Sequence, residues 1–390
     1  MMKHNKSKLS IALLTLALTA CGGGGGDSSS TPTTPTTPTT PTTPTTPTST
    51  IEEEFGLWLT DLSNDLIISG YQAFDSQAAS LSSAANSFCQ LSNPTTSDLA
   101  ELQTAWQSTN AAWQRIQWVK VGPVLEESRI FRIQLWPDSN DAVTRGVNNL
   151  LLSSETITDE LVATQNVGAQ GIPALEQLLF STGDNAILTE SDGDKRCEAV
   201  VAISQNLSNI ATSVHNGWLA DGGNFVEQFT NGTGDFTGQK DAVEEIVTNW
   251  LEHVELVKDE KTLEPLSINA PGIPSIAEFT LSDESIPSIK INVATFLDIF
   301  TAVDGHGFDD ILTDFFEQET IATTMKEKLD AAIASASALE GNYSEALNDE
   351  AKRAEIEQLV QAIREVRDYL STEFVQTTDI NIGFNANDGD

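Results

Sequence analysis

The stretch "SDLAELQTAWQSTNAAWQRIQWV", residues 97–119, carries the pattern that decides the fold. Its large apolar residues recur at the three- and four-residue spacing of one helix face. They are Leu99, Leu102, Trp106, Trp113 and Ile116. Asp98 followed by Glu101 resembles a capping box, which predicts that the helix begins near residue 97. The segment therefore predicts a long amphipathic α-helix with one buried face.

The same periodicity covers most of the chain after residue 50. Near the end, "EIEQLVQAIREVRDYL", residues 355–370, places Ile356, Leu359 and Ile363 on one stripe. Long helices are predicted over 57–91, 97–120, 190–220, 238–260, 285–303, 318–340 and 344–372, and shorter ones over 140–153, 156–166 and 173–181. Alternating strand patterns are scarce, so the prediction is an all-α fold built from helical bundles.

The N-terminus has the form of a bacterial lipoprotein signal. "MMKHNKSKLS" is basic, "IALLTLALTA" is an apolar run too short to span a bilayer, and Leu18-Thr19-Ala20-Cys21 follows. Residues 1–21 are predicted to be a signal peptide ending in Cys21, which becomes lipidated. The alternative is an ordinary signal peptide with an accidental cysteine. Lipidation would anchor the protein to a membrane at the cell envelope. Gly22 favours the outer membrane, with the protein facing the periplasm or the cell surface.

Composition divides the remaining chain. The Gly/Ser stretch and Thr-Pro repeat over 22–50 predict an extended linker. "LEPLSINAPGIPSIAEFTLSDESIP", residues 263–287, interrupts the helical pattern and is the best candidate for an inter-domain crossover. These breaks predict an N-terminal helical bundle over 51–263 and a C-terminal one over 264–390.

The charge balance excludes one class of partner. The chain has 20 Lys and Arg against 57 Asp and Glu, for a net charge of −37. Such a field repels nucleic acid and anionic membranes, so no nucleic-acid partner is expected. It attracts cations or a basic protein. The alternative is a solvated acidic surface that serves solubility alone.

Two cysteines remain after Cys21. In an exported, oxidising compartment Cys89 and Cys197 are predicted to form a disulfide. The alternative, a metal pair, lacks a nearby His or Cys to complete it.

One loop carries residues suited to a cation. The sequence has no Gly-x-Ser-x-Gly elbow, no phosphate-binding Gly-x-x-x-x-Gly-Lys and no His-Glu-x-x-His helix. "AVDGHGFDDIL", residues 302–312, presents Asp304, His306, Asp309 and Asp310 around two glycines. Carboxylates with one imidazole suit a hard or borderline cation. The alternative is a glycine-rich helix junction in which Asp309 caps the next helix.

Several segments together resemble the imelysin-like family of exported, often lipid-anchored bacterial proteins. They are "FRIQLWPDSNDAVTRGVNNLL" (131–151), "GIPALEQLLF" (171–180), "RCEAVVAISQNL" (196–207), "VKDEKTLEPL" (257–266), "SIKINVATFLDIFTAVDGHGFDDIL" (288–312) and "IGFNANDGD" (382–390). The resemblance implies two helical-bundle domains with a cleft between them. It also implies a Gly-x-His-x-x-Glu signature beside that cleft.

The signature is incomplete here. Gly171 and Glu176 match it, but Pro173 stands where the family has histidine. The family is named for a proposed metallopeptidase activity, and related members act in iron uptake or are iron-regulated. Proline can neither ligate a metal nor carry a proton, which puts the peptidase activity in doubt. The resemblance then implies a non-catalytic binding protein connected with metal or iron acquisition. A metallopeptidase and a surface interaction protein are the alternatives.

Glu176 has three interpretations. Locally it is a first-turn acid in a helix opened by Pro173. It could instead pair with Arg132 and be structural, or line one pocket with His306 and Asp309. In the last case those three residues are the predicted metal ligands, for iron, zinc or calcium. The predicted cleft residues are Gly171, Glu176, Arg132, His306, Asp309 and Asp310, and the resemblance adds Asp138 and the acidic tail at Asp388 and Asp390.

Overall fold

The computed structural model describes residues 49–181 and 186–383. These residues form helices, turns and loops without a β-strand, which confirms the predicted all-α fold. None of the helices within them is both long and apolar enough to cross a bilayer. The predicted signal peptide with Cys21, the linker as far as residue 48, and the acidic tail with Asp388 and Asp390 lie outside the described residues.

Eighteen α-helices are described in this part of the chain. The first nine are α1 (Ile51–Asp61), α2 (Ser69–Cys89), α3 (Thr96–Ile116), α4 (Arg129–Ile133), α5 (Ala142–Leu152), α6 (Asp159–Ala163), α7 (Gly171–Phe180), α8 (Ala186–Thr189) and α9 (Gly193–Trp218). The others are α10 (Phe225–Asn231), α11 (Gln239–Leu256), α12 (Glu264–Leu266), α13 (Ser285–Thr301), α14 (Phe308–Asp310), α15 (Glu319–Ala338), α16 (Tyr343–Ala346), α17 (Glu350–Tyr369) and α18 (Val375–Thr378).

Four of the described α-helices continue directly into a π-helical turn. These turns are Leu62–Ile68, Val257–Leu263, Ile311–Phe315 and Leu370–Phe374. The helix predicted over 57–91 is therefore α1, a π-turn and α2 in succession. A π-turn inserts a residue into the 3.6-residue repeat and changes which side chains face inward, often at functional sites.

The predicted start of α3 agrees with the structure to within one residue, but the capping box is formed by other residues than Asp98 and Glu101. Thr95 is the N-cap: its Oγ1 accepts from the Asp98 backbone N–H at 3.3 Å, and the Asp98 carboxylate accepts from the Thr95 N–H at 2.7 Å. Asp98 is thus the last residue of the capping box rather than its first. The buried face of α3 is as predicted, with Leu99, Trp106 and the rest of its stripe in the core.

The long helices pack against one another in a connected series. α2 packs against α3 and α9, and α7 packs against α9 and α3. α13 packs against α15, and α15 against α17, while α13 also contacts α3. The predicted division at residues 263 and 264, with a cleft between two domains, stays a prediction.

The predicted disulfide is present. Cys89, the last residue of α2, bonds to Cys197 near the start of α9, with their Cα atoms 5.6 Å apart. The bond ties together two helices that also pack along their lengths.

Candidate functional site

Glu176 is a buried carboxylate held by a residue far away in sequence. Its Oε1 accepts from the backbone N–H of Ser282 at 3.0 Å and from the Ser282 hydroxyl at 2.7 Å. Only 7% of the residue is exposed. α7 begins at Gly171, so Glu176 lies in the second turn, and its interpretation as a first-turn acid opened by Pro173 is wrong. The helix dipole therefore stabilises this carboxylate only weakly, and the surrounding core residues determine its environment.

The surroundings of Glu176 change its acidity. Burial, with a smaller contribution from the nearby charge of Glu278, raises the pKa of Glu176 to about 7 although the hydrogen bonds from Ser282 oppose the shift. Near neutral pH the group therefore exchanges between carboxylate and carboxylic acid. A buried acid with such a pKa is a candidate functional group.

Gly171 fixes the entry of the chain into α7. Its φ is +72°, and a Cβ at this position would lie 2.1 Å from the carbonyl oxygen of Ile133. Only glycine combines that backbone conformation with so close an approach. Backbone packing therefore explains the glycine at the first position of the signature, without any contact to a ligand.

Arg132 contacts other groups than Glu176. Its Nε donates to Gln170 Oε1 at 3.0 Å, and its Nη2 donates to Asn206 Oδ1 at 3.3 Å. Its Nη1 lies 3.7 Å from Glu127 Oε2. The alternative in which Arg132 pairs with Glu176 is not what the structure shows. Arg132 ties α4 to α9 and to the turn before α7.

A fully buried lysine lies at the centre of the polar core. Lys261 Nζ donates to Gln114 Oε1 at 2.8 Å, to Glu278 Oε2 at 2.9 Å and to Asn292 Oδ1 at 2.8 Å. These three acceptors match the three protons of the ammonium group. Burial lowers the pKa of Lys261, and the adjacent Glu278 opposes that shift. The pair forms a buried ion pair with all ammonium donors satisfied.

The network extends from this ion pair to α3. Gln134 Nε2 donates to the second oxygen of Glu278, and Gln134 Oε1 accepts from Trp113 Nε1 at 2.6 Å. Asn292 Nδ2 donates to the Gln114 carbonyl at 2.8 Å. α3 and α13 are therefore joined through side chains that all lie in the core.

One short segment joins Glu176 to this network. Glu278 accepts from Lys261, and Ser282, four residues later, donates to Glu176. The Ser285 hydroxyl also donates to the Glu278 carbonyl, which holds the segment against α13. Residues 278–282 thus bring two carboxylates and one ammonium group into the same region.

The loop at 302–310 binds to α1 instead. The His306 backbone N–H donates to Asp61 Oδ2 at 2.7 Å, and its ring Nε2 lies 2.7 Å from Glu54 Oε2. Asp310 Oδ2 accepts from the Gly307 N–H at 3.0 Å, so Asp310, rather than Asp309, caps α14. Burial raises the pKa of Asp309, and Asp310 adds to the shift.

The predicted metal ligands are not brought together. Glu176 binds Ser282, whereas His306 binds α1. Across residues 49–181 and 186–383, no group of three or more His, Cys, Asp or Glu side chains is arranged to hold a metal ion. The set Glu176, His306 and Asp309 therefore does not form a ready-made metal centre.

Sequence reasoning missed Lys261, Glu278, Ser282 and Asn292. A signal exists for Lys261, since Trp250, Val254 and Val257 precede it on one apolar helix face. A lysine at such a position either ends the buried face or is itself buried and paired with an opposite charge. Glu278 and Ser282 lie in an irregular segment without periodicity, and nothing local marks them.

Comparisons with known proteins agree with this architecture. The family model for imelysin, of the M75 peptidase group, matches residues 67–370. An imelysin-like protein from Psychrobacter arcticum 273-4 is a similar solved structure, at 21% identity and a TM-score of 0.71, covering 85% of this chain and 98% of that one. An iron-regulated protein A precursor from Parabacteroides distasonis ATCC 8503 is similar at 14% identity and a TM-score of 0.69, covering 85% and 96%. No curated protein matches the chain.

Proposed function

This chain belongs to the imelysin family, and on that premise we propose that it is a lipid-anchored, non-catalytic binding protein of the cell envelope that takes part in iron or other metal acquisition. The iron-regulated protein among the similar structures supports the link to iron. The lipobox at Cys21 and the Thr-Pro linker support attachment to the envelope.

The observation that carries the proposal is the buried carboxylate of Glu176 beside Glu278. Carboxylate and hydroxyl oxygens are ligands that hard cations prefer. Glu176 and Ser282 provide such oxygens, whereas Lys261 already neutralises Glu278. Two donors do not make a metal centre, so a cation taken up here as cargo would bring further ligands of its own.

The departure from the family signature favours binding over hydrolysis. Metal-dependent hydrolysis needs a metal with an open position and an activated water. Pro173 removes the signature imidazole, and His306 is engaged with α1 rather than with Glu176. Within the described part of the chain, the side chain that donates to Glu176 is that of Ser282, and no imidazole does so.

The experiment compares metal content and uptake in matched variants. Elemental analysis and equilibrium dialysis with iron, zinc, copper and calcium would be made on wild type, Glu176→Gln and the exposed-acid control Glu340→Gln. We expect stoichiometric uptake in wild type and in the control, and its loss in Glu176→Gln. Equal uptake by all three proteins would contradict the proposal. Chelator-sensitive cleavage of a peptide mixture by wild type would favour the metallopeptidase alternative.

A second candidate function is a surface interaction protein. Exposed large apolar side chains are concentrated on the segment 263–281, at Leu263, Ile268, Ile273, Ile276 and Leu281. Such residues on one segment are typical of protein interaction sites. Cross-linking in intact cells that recovers one protein partner, with wild type free of metal, would favour this function over metal acquisition.

A further inference from the structure

Two of the few basic residues in this acidic chain share one small pocket. Arg129 and Arg132 lie three residues apart on α4, on the same face of the helix. They line a surface cavity of about 240 Å³ between α4, α6 and α9. Asn206 and Ser213 of α9 contribute further polar groups to its wall. The wall also carries the acids Glu127, Asp159 and Glu160, so the two guanidinium groups offer directed N–H donors to an oxyanion rather than a net positive charge.

A carboxylate of the chain itself lies between the two arginines. Glu127 Oε2 is 3.7 Å from Arg129 Nη2 and 3.7 Å from Arg132 Nη1. Charge-assisted N–H···O bonds are about 2.7–2.9 Å long, so both contacts are loose. The Glu127 side chain is 71% exposed, which leaves it free to turn outward. The position between the guanidinium groups is therefore occupied but not tightly bound.

The backbone that carries this carboxylate is in an unfavourable conformation. Glu127 has φ 51° and ψ 26°, and Ser128 has φ 56° and ψ 32°. Two successive non-glycine residues in the left-handed region are uncommon, and such residues are frequent at ligand sites. The turn directs Glu127 back over α4 although local preferences oppose it.

The other two acids of the cavity wall, Asp159 and Glu160, are oriented by hydrogen bonds within the chain and keep their charge. Asp159 Oδ2 accepts from Asn209 Nδ2 at 3.0 Å. The Glu160 carboxylate accepts from its own backbone N–H and from Thr158, and these bonds lower its pKa. Glu126, which does not line the cavity, pairs with Arg129 Nη1 at 2.8 Å. These contacts leave Arg129 Nη2 and Arg132 Nη1 as the groups that face Glu127 and the cavity.

We propose that the pocket of Arg129 and Arg132 binds a small oxyanion, a phosphate or a carboxylate, and that Glu127 occupies the position as an internal competitor until the ligand displaces it. Planar guanidinium groups pair with two oxygens of such anions in a fixed geometry. A cavity of about 240 Å³ suits an ion of this size. The site is separate from Glu176 and does not depend on the function proposed for that residue.

The test is calorimetric titration of the whole protein with inorganic phosphate and, in parallel, with citrate. Glu127→Gln keeps the size of the side chain but removes the competing charge, and it should tighten binding roughly fivefold. Arg129→Gln should weaken binding at least roughly tenfold. Arg364→Gln removes the same charge from an exposed arginine of α17 and should leave binding unchanged. The tighter of the two anions identifies the ligand chemistry.

Two results would overturn the proposal. The first is absence of binding by Glu127→Gln to either anion up to roughly 10 mM. The second is an equal loss in Arg129→Gln and Arg364→Gln, which would show a general charge effect rather than a site. Because Arg129 also donates to the Pro123 carbonyl, thermal unfolding checks that its variant is folded. Because the Glu127 side chain is exposed, the Glu127→Gln protein should fold normally, and its anion binding tests the proposal even if the Arg129 variant is unstable.

Discussion

Two polar contacts of similar length differ in their surroundings, because one lies in the core and the other near the surface. The Lys261–Glu278 pair is 2.9 Å long, with side chains 1% and 2% exposed. The His306–Glu54 contact is 2.7 Å long, with side chains 25% and 12% exposed. Solvent screens the electrostatic attraction of the His306–Glu54 contact. The Lys261–Glu278 pair is shielded from water, so each of its charges depends on the other and on its hydrogen bonds. The candidate site and the structural junction therefore differ in the burial of their charged groups rather than in the distance between them.

Lys261→Met should have the largest effect on stability of the substitutions considered. Removing the ammonium group leaves Glu278 buried without its charge partner, which should lower the free energy of unfolding by roughly 3–5 kcal/mol. Urea denaturation measures the change. Lys258→Met, in the same π-helical turn but paired with Asp259 nearer the surface, is the matched control and should change stability by about 1 kcal/mol or less. Equal effects of the two substitutions would refute the role assigned to burial.

Gly171→Ala tests the backbone that presents Glu176. The positive φ and the clash with the Ile133 carbonyl should destabilise the protein by about 3 kcal/mol. Gly238→Ala is the control, because a Cβ there meets no atom within 4 Å. Thermal unfolding of both variants would show the difference, and a Gly171→Ala protein as stable as Gly238→Ala would contradict the packing described at α7.

Glu176→Gln tests how the burial of this carboxyl group makes the free energy of unfolding depend on pH. The folded-state pKa of Glu176 is raised from 4.5 to about 7, so the folded protein holds this proton more tightly than the unfolded chain does. Its contribution to stability is fully present below pH 4.5 and is lost as pH rises through about 7. The loss amounts to at most about 3 kcal/mol.

The measurement is the free energy of unfolding at pH 5 and pH 8 for wild type and Glu176→Gln. Glutamine does not titrate, so the difference between the two proteins isolates this group from the other acids. We expect wild type to lose stability relative to the variant as pH rises. A difference that is constant between the two pH values would mean that Glu176 ionises as an ordinary acid.

The smallest effect is expected at the surface pair. His306→Ala removes the contact with Glu54 but keeps the backbone hydrogen bond to Asp61. Because the pair is partly solvated, unfolding should become easier by about 1 kcal/mol or less. A loss in urea denaturation as large as that of Lys261→Met would remove the distinction between the two regions.

Local patterns predicted the helices well because helix formation depends on near neighbours. The apolar stripe of α3 and the helix at 355–370 follow directly from the spacing of their large residues. The π-turn at Leu62–Ile68 was not predicted, since the residues around it keep a helical pattern on both sides. The cap at Thr95 was missed because Asp98 offered a similar motif three residues later.

The candidate site depends on pairs that no local pattern contains. Glu176 and Ser282 are 106 residues apart, and Lys261 and Gln114 are 147 apart. The sequence marks Glu176 and His306 alike, as polar residues near glycines, and only tertiary packing distinguishes their surroundings. The resemblance to imelysins indicated which glutamate to examine, but not that Ser282 would donate to it or that Lys261 would pair with the nearby Glu278.

The most direct test of the proposed binding site compares Glu176 with His306 in one titration. Ferrous iron would be titrated calorimetrically into wild type, Glu176→Gln and His306→Ala under identical conditions. We expect stoichiometric binding by wild type and His306→Ala, and its loss in Glu176→Gln. Binding that survives in Glu176→Gln but disappears in His306→Ala would contradict it, and would place the functional site at the junction of α1 with the 302–310 loop.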